Sequence, residues 1–142
     1  MKFSYLQDWG TFTNETFVVV GMTQKEILAD MRRRKFKKDA IEAFSRRNKP
    51  NGDETAFVWV RKGMTLLWLN GWRIDLEHYS TVVHETNHLI WEITRDKGMV
   101  EEAEMQAYQQ EYLFLAIVTR LNKSLVKSKR SKRNDARKNG NS

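Results

Sequence analysis

His84 and His88 are two of the three histidines in this 142-residue chain, and Glu85 stands between them in "TVVHETNHLIWE" (81–92). Imidazoles four residues apart fall on one face of a helix, about 6 Å from each other along its axis. At that spacing both reach a single metal ion, each nitrogen at about 2 Å. Glu85 is turned about 100° from His84, which makes it a poor ligand. It sits instead beside an open coordination position, where a carboxylate can take a proton from a metal-bound water. The pattern H-E-x-x-H therefore predicts zinc chemistry. The ion lowers the pKa of its water and polarises a carbonyl, and Glu85 is the general base. The plainer alternative is a pair of surface histidines with an incidental glutamate beside them.

A catalytic zinc needs a third protein ligand. The chain has no cysteine, so that ligand is a histidine or a carboxylate. His78 precedes His84 by six residues, about 120° off the face, and suits a cap or solvent better. Glu92 continues the 84–88 spacing but lies about 12 Å along the axis from His84, too far to share an ion on a straight helix. The third ligand is expected from beyond "RDKG" (95–98), on a helix that packs back, where the acids are Asp96, Glu101, Glu102, Glu104 and Glu111. Helical phase puts Glu104 on one stripe with Ala107, Tyr108, Glu111 and Leu115, the side expected to pack. Glu102 is about 160° away and expected in water, and Glu101 is intermediate. This phase selects Glu104.

The elements that must hold these residues are marked by local signals. Residues 3–20 are strand material, with turn chemistry in "TFTNET" before "ETFVVV" and Gly21 as the stop. Thr23 and Glu26 form a capping box, with Met22 and Ile27 at the positions of a hydrophobic staple. That helix runs through Met31 into "RRRKFKK" (32–38), and the helical pattern resumes through Ile41 and Phe44. After the turn "NKPNGDE" (48–54), residues 55–71 read as a hairpin turning near Lys62-Gly63. Asp75 is the expected N-cap of the helix carrying the histidines. "RDKGM" (95–99) breaks it, and a final helix covers about 100–126. The order is that of an α+β domain, a small antiparallel or mixed sheet packed against an active-site helix and a C-terminal helix.

Charge divides the chain sharply. Residues 122–142 hold eight Lys/Arg and one acid, Asp135, which is the whole net +7; the rest is balanced. From Lys127 onward the only apolar side chain is Ala136, too little to offset the entropy of ordering. The expected division is a domain over 1–126 and a basic disordered tail over 127–142. The longest apolar run, 112–118, is too short to cross a membrane, and the first residues lack the apolar stretch of a signal peptide. The expectation is a soluble cytoplasmic protein with no membrane partner.

"HETNH", a short break and then "EAEMQAY" resemble the small single-domain gluzincins, in which H-E-x-x-H is followed by E-x-x-A-Y on the next helix. Such chains are common among phage and prophage products. The resemblance implies a zincin-like fold, peptide-bond hydrolysis, and the host cytoplasm as the compartment. It implies His84, His88 and Glu104 as zinc ligands and Glu85 as the catalytic base. It also implies a sheet edge beside the active helix that holds an extended peptide by backbone pairing, here expected to be "LLWLNG". Tyr108, His78 and Arg73 are the candidates for stabilising an oxyanion, each with a structural role open to it. Two other functions compete. One is a zinc-bound protein that binds without turnover. The other is a nucleic-acid-associated protein using 32–38 and residues 123–138 on phosphates.

Overall fold

The computed structural model describes residues 1–10, 14–47, 54–61, 64–96, 98 and 102–140. The turns read at 11–13, 48–53 and Lys62-Gly63 lie outside them. Among the described residues the elements are, in order, β1 (Phe3–Asp8), β2 (Glu15–Val20), α1 (Gln24–Arg33), α2 (Lys38–Ser45), β3 (Ala56–Arg61), β4 (Met64–Leu69), α3 (Leu76–Asp96) and α4 (Ala103–Gly140). The strands form one mixed sheet in the order β1-β2-β4-β3. β1 and β3 pair antiparallel with β2 and β4, and the two central strands run parallel, with Val18 opposite Leu67.

The α+β expectation holds, and period-two alternation explains the layering. Val18, Val20, Leu67 and Leu69 face a cluster completed by Val82, Leu89, Ile90 and Ile93 of α3 and by Leu113, Ile117 and Leu121 of α4. The intervening Phe17, Val19, Leu66 and Trp68 face Ile27 and Met31 of α1 and Phe44 of α2. The central strands are apolar on both faces because helices cover both.

Local signals fix the helix starts. Thr23 and Glu26 close the capping box at α1, and Met22 packs on the cluster that holds Ile27, as a staple requires. Asp75 accepts the His78 backbone N–H at 2.9 Å, the N-cap of α3. α1 is pinned to β1 through Asp30. Burial raises its pKa, but hydrogen bonds from Ser4, Arg33 and Arg34 outweigh this and hold it below the usual range. α1 ends at a feature the sequence did not announce. Lys35 adopts φ 60°, its N–H reaches Arg32 O at 3.0 Å, and the N–H of Phe36 reaches Met31 O at 3.0 Å. That is a Schellman closure with lysine where glycine is usual. α3 ends more conventionally, at Gly98 with φ 67°.

Two expectations are corrected. "LLWLNG" is not an edge: β4 lies between β2 and β3, and the edge next to α3 is β3. The hairpin reading identified both strands, but which one is outermost depends on the parallel pairing of β4 with β2. Residues 127–140, expected to be disordered, continue α4. Helix nucleation is already supplied by the packed turns upstream, and Lys, Arg and Ala propagate a helix well. Among the described residues, no helix is long and apolar enough to cross a membrane.

Candidate metal and peptide site

The sequence pair meets in space. His84 and His88 are both exposed on α3, their Nε2 atoms 3.1 Å apart and their rings at 80°. Two nitrogens bound to one tetrahedral ion at about 2.05 Å would stand about 3.3 Å apart, so the two imidazoles fit a shared ion with little adjustment. Without one, that distance suits an N–H···N hydrogen bond.

Glu85 is half-buried and turned to the flank of α3 that faces β3. There it lines an open cavity of about 490 Å³ with His88, Glu92, Ala56, Phe57, Val58 and Val60. Positions 85, 88 and 92 fall within about 60° on a helix, which is why they share this flank. Burial pushes the Glu85 carboxyl above the ordinary glutamate range, against the opposing pull of His84 and His88. The wall opposite is β3, the edge of the sheet, whose outward side has no strand neighbour among the described residues. The site is thus a groove with a strand edge on one side and an acid beside two imidazoles on the other.

Glu92 was set aside as a ligand by distance. It belongs to this groove as a second carboxylate, tied to Arg95 at 2.5 Å. The 85/88/92 phase was the signal that could have placed it.

α4 packs on the other flank. Gln110 Nε2 donates to Thr86 Oγ1 at 2.7 Å and to Val83 O at 3.1 Å, and Gln106 Nε2 donates to Thr94 Oγ1 at 3.3 Å. Thr86 itself donates to Val82 O at 2.7 Å, so the backbone under His84 and Glu85 is held from the α4 side. The packed face of α4 is Gln109, Leu113, Ile117 and Leu121. Glu104 is on the opposite face and exposed, as are Ala107, Glu111, Tyr108 (66%) and Leu115 (54%). The phase that selected Glu104 is therefore inverted. In the first turns of α4 the inward side is Gln106, Gln109 and Gln110, while the apolar residues that suggested a buried stripe face solvent.

Among the described residues, no group of three His, Asp or Glu stands together to hold an ion. The side chain of Asp96, and Glu101 altogether, lie outside the described residues. The remaining candidates stand elsewhere. His78 Nδ1 is 2.7 Å from Asp75 Oδ1 and its ring packs edge-on against Trp72, the capping role the sequence allowed. Neither Arg73, His78 nor Tyr108 lines the groove beside Glu85. Compared with family models, with curated proteins and with solved structures, the chain matches none. The gluzincin resemblance rests on "HETNH" and "EAEMQAY" alone.

Proposed function

We propose that the α3–β3 groove is a zinc-dependent peptide-hydrolysing site. One observation carries the reading: the two imidazoles converge to chelating distance beside a half-buried glutamate, in a groove walled by the edge strand β3. His84 and His88 would hold the ion. The chemistry a bound zinc supplies is Lewis acidity toward a water and a carbonyl oxygen. Glu85 takes the proton of the attacking water and passes it to the leaving amine. β3 offers its outer N–H and C=O groups to an extended peptide, which would lie antiparallel or parallel to Ala56–Arg61 and present its bonds to the groove. Val58 and Val60 pack toward the α3/α4 core, and Phe57 and Trp59 toward the other face, so an added strand would continue both layers.

A second reading is favoured by a specific observation. With no third ligand among the described residues, the same groove suits a protein that binds an extended segment beside a weakly held zinc ion without turnover. The test is Glu85→Gln. Under the first reading this variant keeps its fold and its zinc, measured by metal analysis, and loses peptide hydrolysis by at least about a hundredfold, the usual worth of a general base. His84→Ala loses zinc and hydrolysis together. A wild-type protein that holds zinc and captures peptides but cleaves none of them establishes the second reading.

A further inference from the structure

The groove makes no use of the most strongly charged part of the molecule. The net +7 lies wholly in residues 122–142, and that stretch is carried as far as Gly140 on the end of α4. The helix has left the domain there: Leu121 is its last fully buried residue, and every side chain over 129–140 is exposed. At about 100° per residue, Lys123, Lys127, Arg130 and Arg137 fall within an arc of about 80°, with Arg133 and Lys138 flanking it. The stripe is about 21 Å long. Lys129 and Lys132 occupy the far side, and Asp135 is the one acid. Among the described residues, none of the eight cations makes an ion pair. Like charges at i, i+3 and i, i+4, such as Lys123 with Lys127 and Lys127 with Arg130, disfavour the bare helix. A polyanion would relieve that repulsion.

We propose that the exposed end of α4 docks into the major groove of duplex DNA, its cations on the phosphates of both strands. An α-helix with side chains is about 10–12 Å across, and the B-form major groove is about 12 Å wide. Cations on the stripe and on the far side of the helix meet phosphates on both walls. Ser128, Ser131 and Asn134 stand among them as further donors to phosphate oxygens. The major groove of an RNA duplex is too narrow and deep for a helix. An anionic membrane would select an apolar face of Trp, Phe or Leu, and residues 127–140 offer only Ala136. Contacts confined to phosphates make the binding independent of base sequence. None of these residues belongs to the groove on α3, so this proposal stands or falls apart from the zinc reading.

The test is fluorescence anisotropy of the full-length protein with a short labelled DNA duplex of arbitrary sequence, titrated across salt. Six phosphate contacts give a log–log salt slope of about −5, a loss of roughly a thousandfold between 50 and 200 mM. The triple variant Lys127→Gln, Arg130→Gln, Arg137→Gln keeps good helix formers and should shrink the slope by about 3, weakening binding about a hundredfold or more near 0.1 M salt. Lys37→Gln with Lys38→Gln, in the other basic run, should leave binding unchanged. The proposal is overturned by absence of binding, by a slope near zero, or by a triple variant that binds like the wild type. It is equally overturned if an RNA duplex or phosphatidylserine vesicles are bound as tightly as DNA.

Discussion

Glu102 stands just before α4 and Glu104 in its first turn, two residues on, and helical phase sets them about 160° apart. The phase read from Ala107, Tyr108 and Leu115 favoured Glu104, yet those three residues are exposed and the inward row is Gln109, Leu113, Ile117 and Leu121. α4 also approaches α3 on the Val83–Thr86–Thr94 flank, whereas Glu85 and His88 line the groove on the β3 flank. Glu104→Ala is therefore expected to retain as much zinc as Glu102→Ala, while His84→Ala and His88→Ala each lose it. Metal analysis of the four variants side by side checks this. Selective loss in Glu104→Ala would mean that the first turn of α4 reaches across α3 when zinc binds. The contrast shows what local spacing can carry. His84 and His88 were legible because both lie on one element, four residues apart. A ligand from another element depends on which flank that element packs against, and a single sequence states this only through the phase of its apolar residues.

That phase misleads at α4 because its inward face is polar where it crosses the loop after β1. Gln109 Nε2 donates to Trp9 O at 2.7 Å, and Tyr112 donates to Asp8 Oδ1 at 2.8 Å. Gly10, at φ 69°, lies so close to the Tyr112 ring that an added Cβ would stand 3.0 Å from it. Farther along, Leu113, Ile117 and Leu121 at four-residue steps carry the true phase. Local signals agree with the structure at the capping box of α1, the Asp75 cap of α3 and the antiparallel pairing of β3 with β4. The end of α1 was not legible, because a lysine holds the left-handed position that a glycine would have announced. Lys35→Gly should therefore stabilise the protein, by about 0.5–1 kcal/mol, since it removes the Cβ strain of that conformation at some entropic cost in the unfolded chain. Equilibrium urea denaturation measures it. A destabilised variant would show that the stem of Lys35, which lines the cavity beside Phe36 and Phe17, contributes more by packing than its backbone costs.

At the scale of the molecule, the balanced domain and the charged extension are joined by one helix, and they obey different physics. Up to Leu121, α4 is held by apolar burial, each fully buried Leu or Ile worth about 1.5–3 kcal/mol. Beyond Val126 its side chains are nearly all exposed, and its charges repel one another at helical neighbour positions. Composition foresaw that this segment buries nothing. It did not foresee a helix, because the segment was weighed as a free chain rather than as the continuation of one already nucleated. Ending the chain after Val126 removes seven Lys/Arg and one Asp, taking the formal net charge from +7 to +1. Stability should then change by no more than about 0.5 kcal/mol, the range of surface changes that touch no packing. Thermal unfolding of the shortened and full-length proteins, followed by circular dichroism, should give midpoints within a few degrees of each other. The shortened protein should also lose helical signal in proportion to the residues removed. A large fall in the midpoint would place residues 127–140 in contact with the domain. An undiminished helical signal would mean that they are not helical in solution.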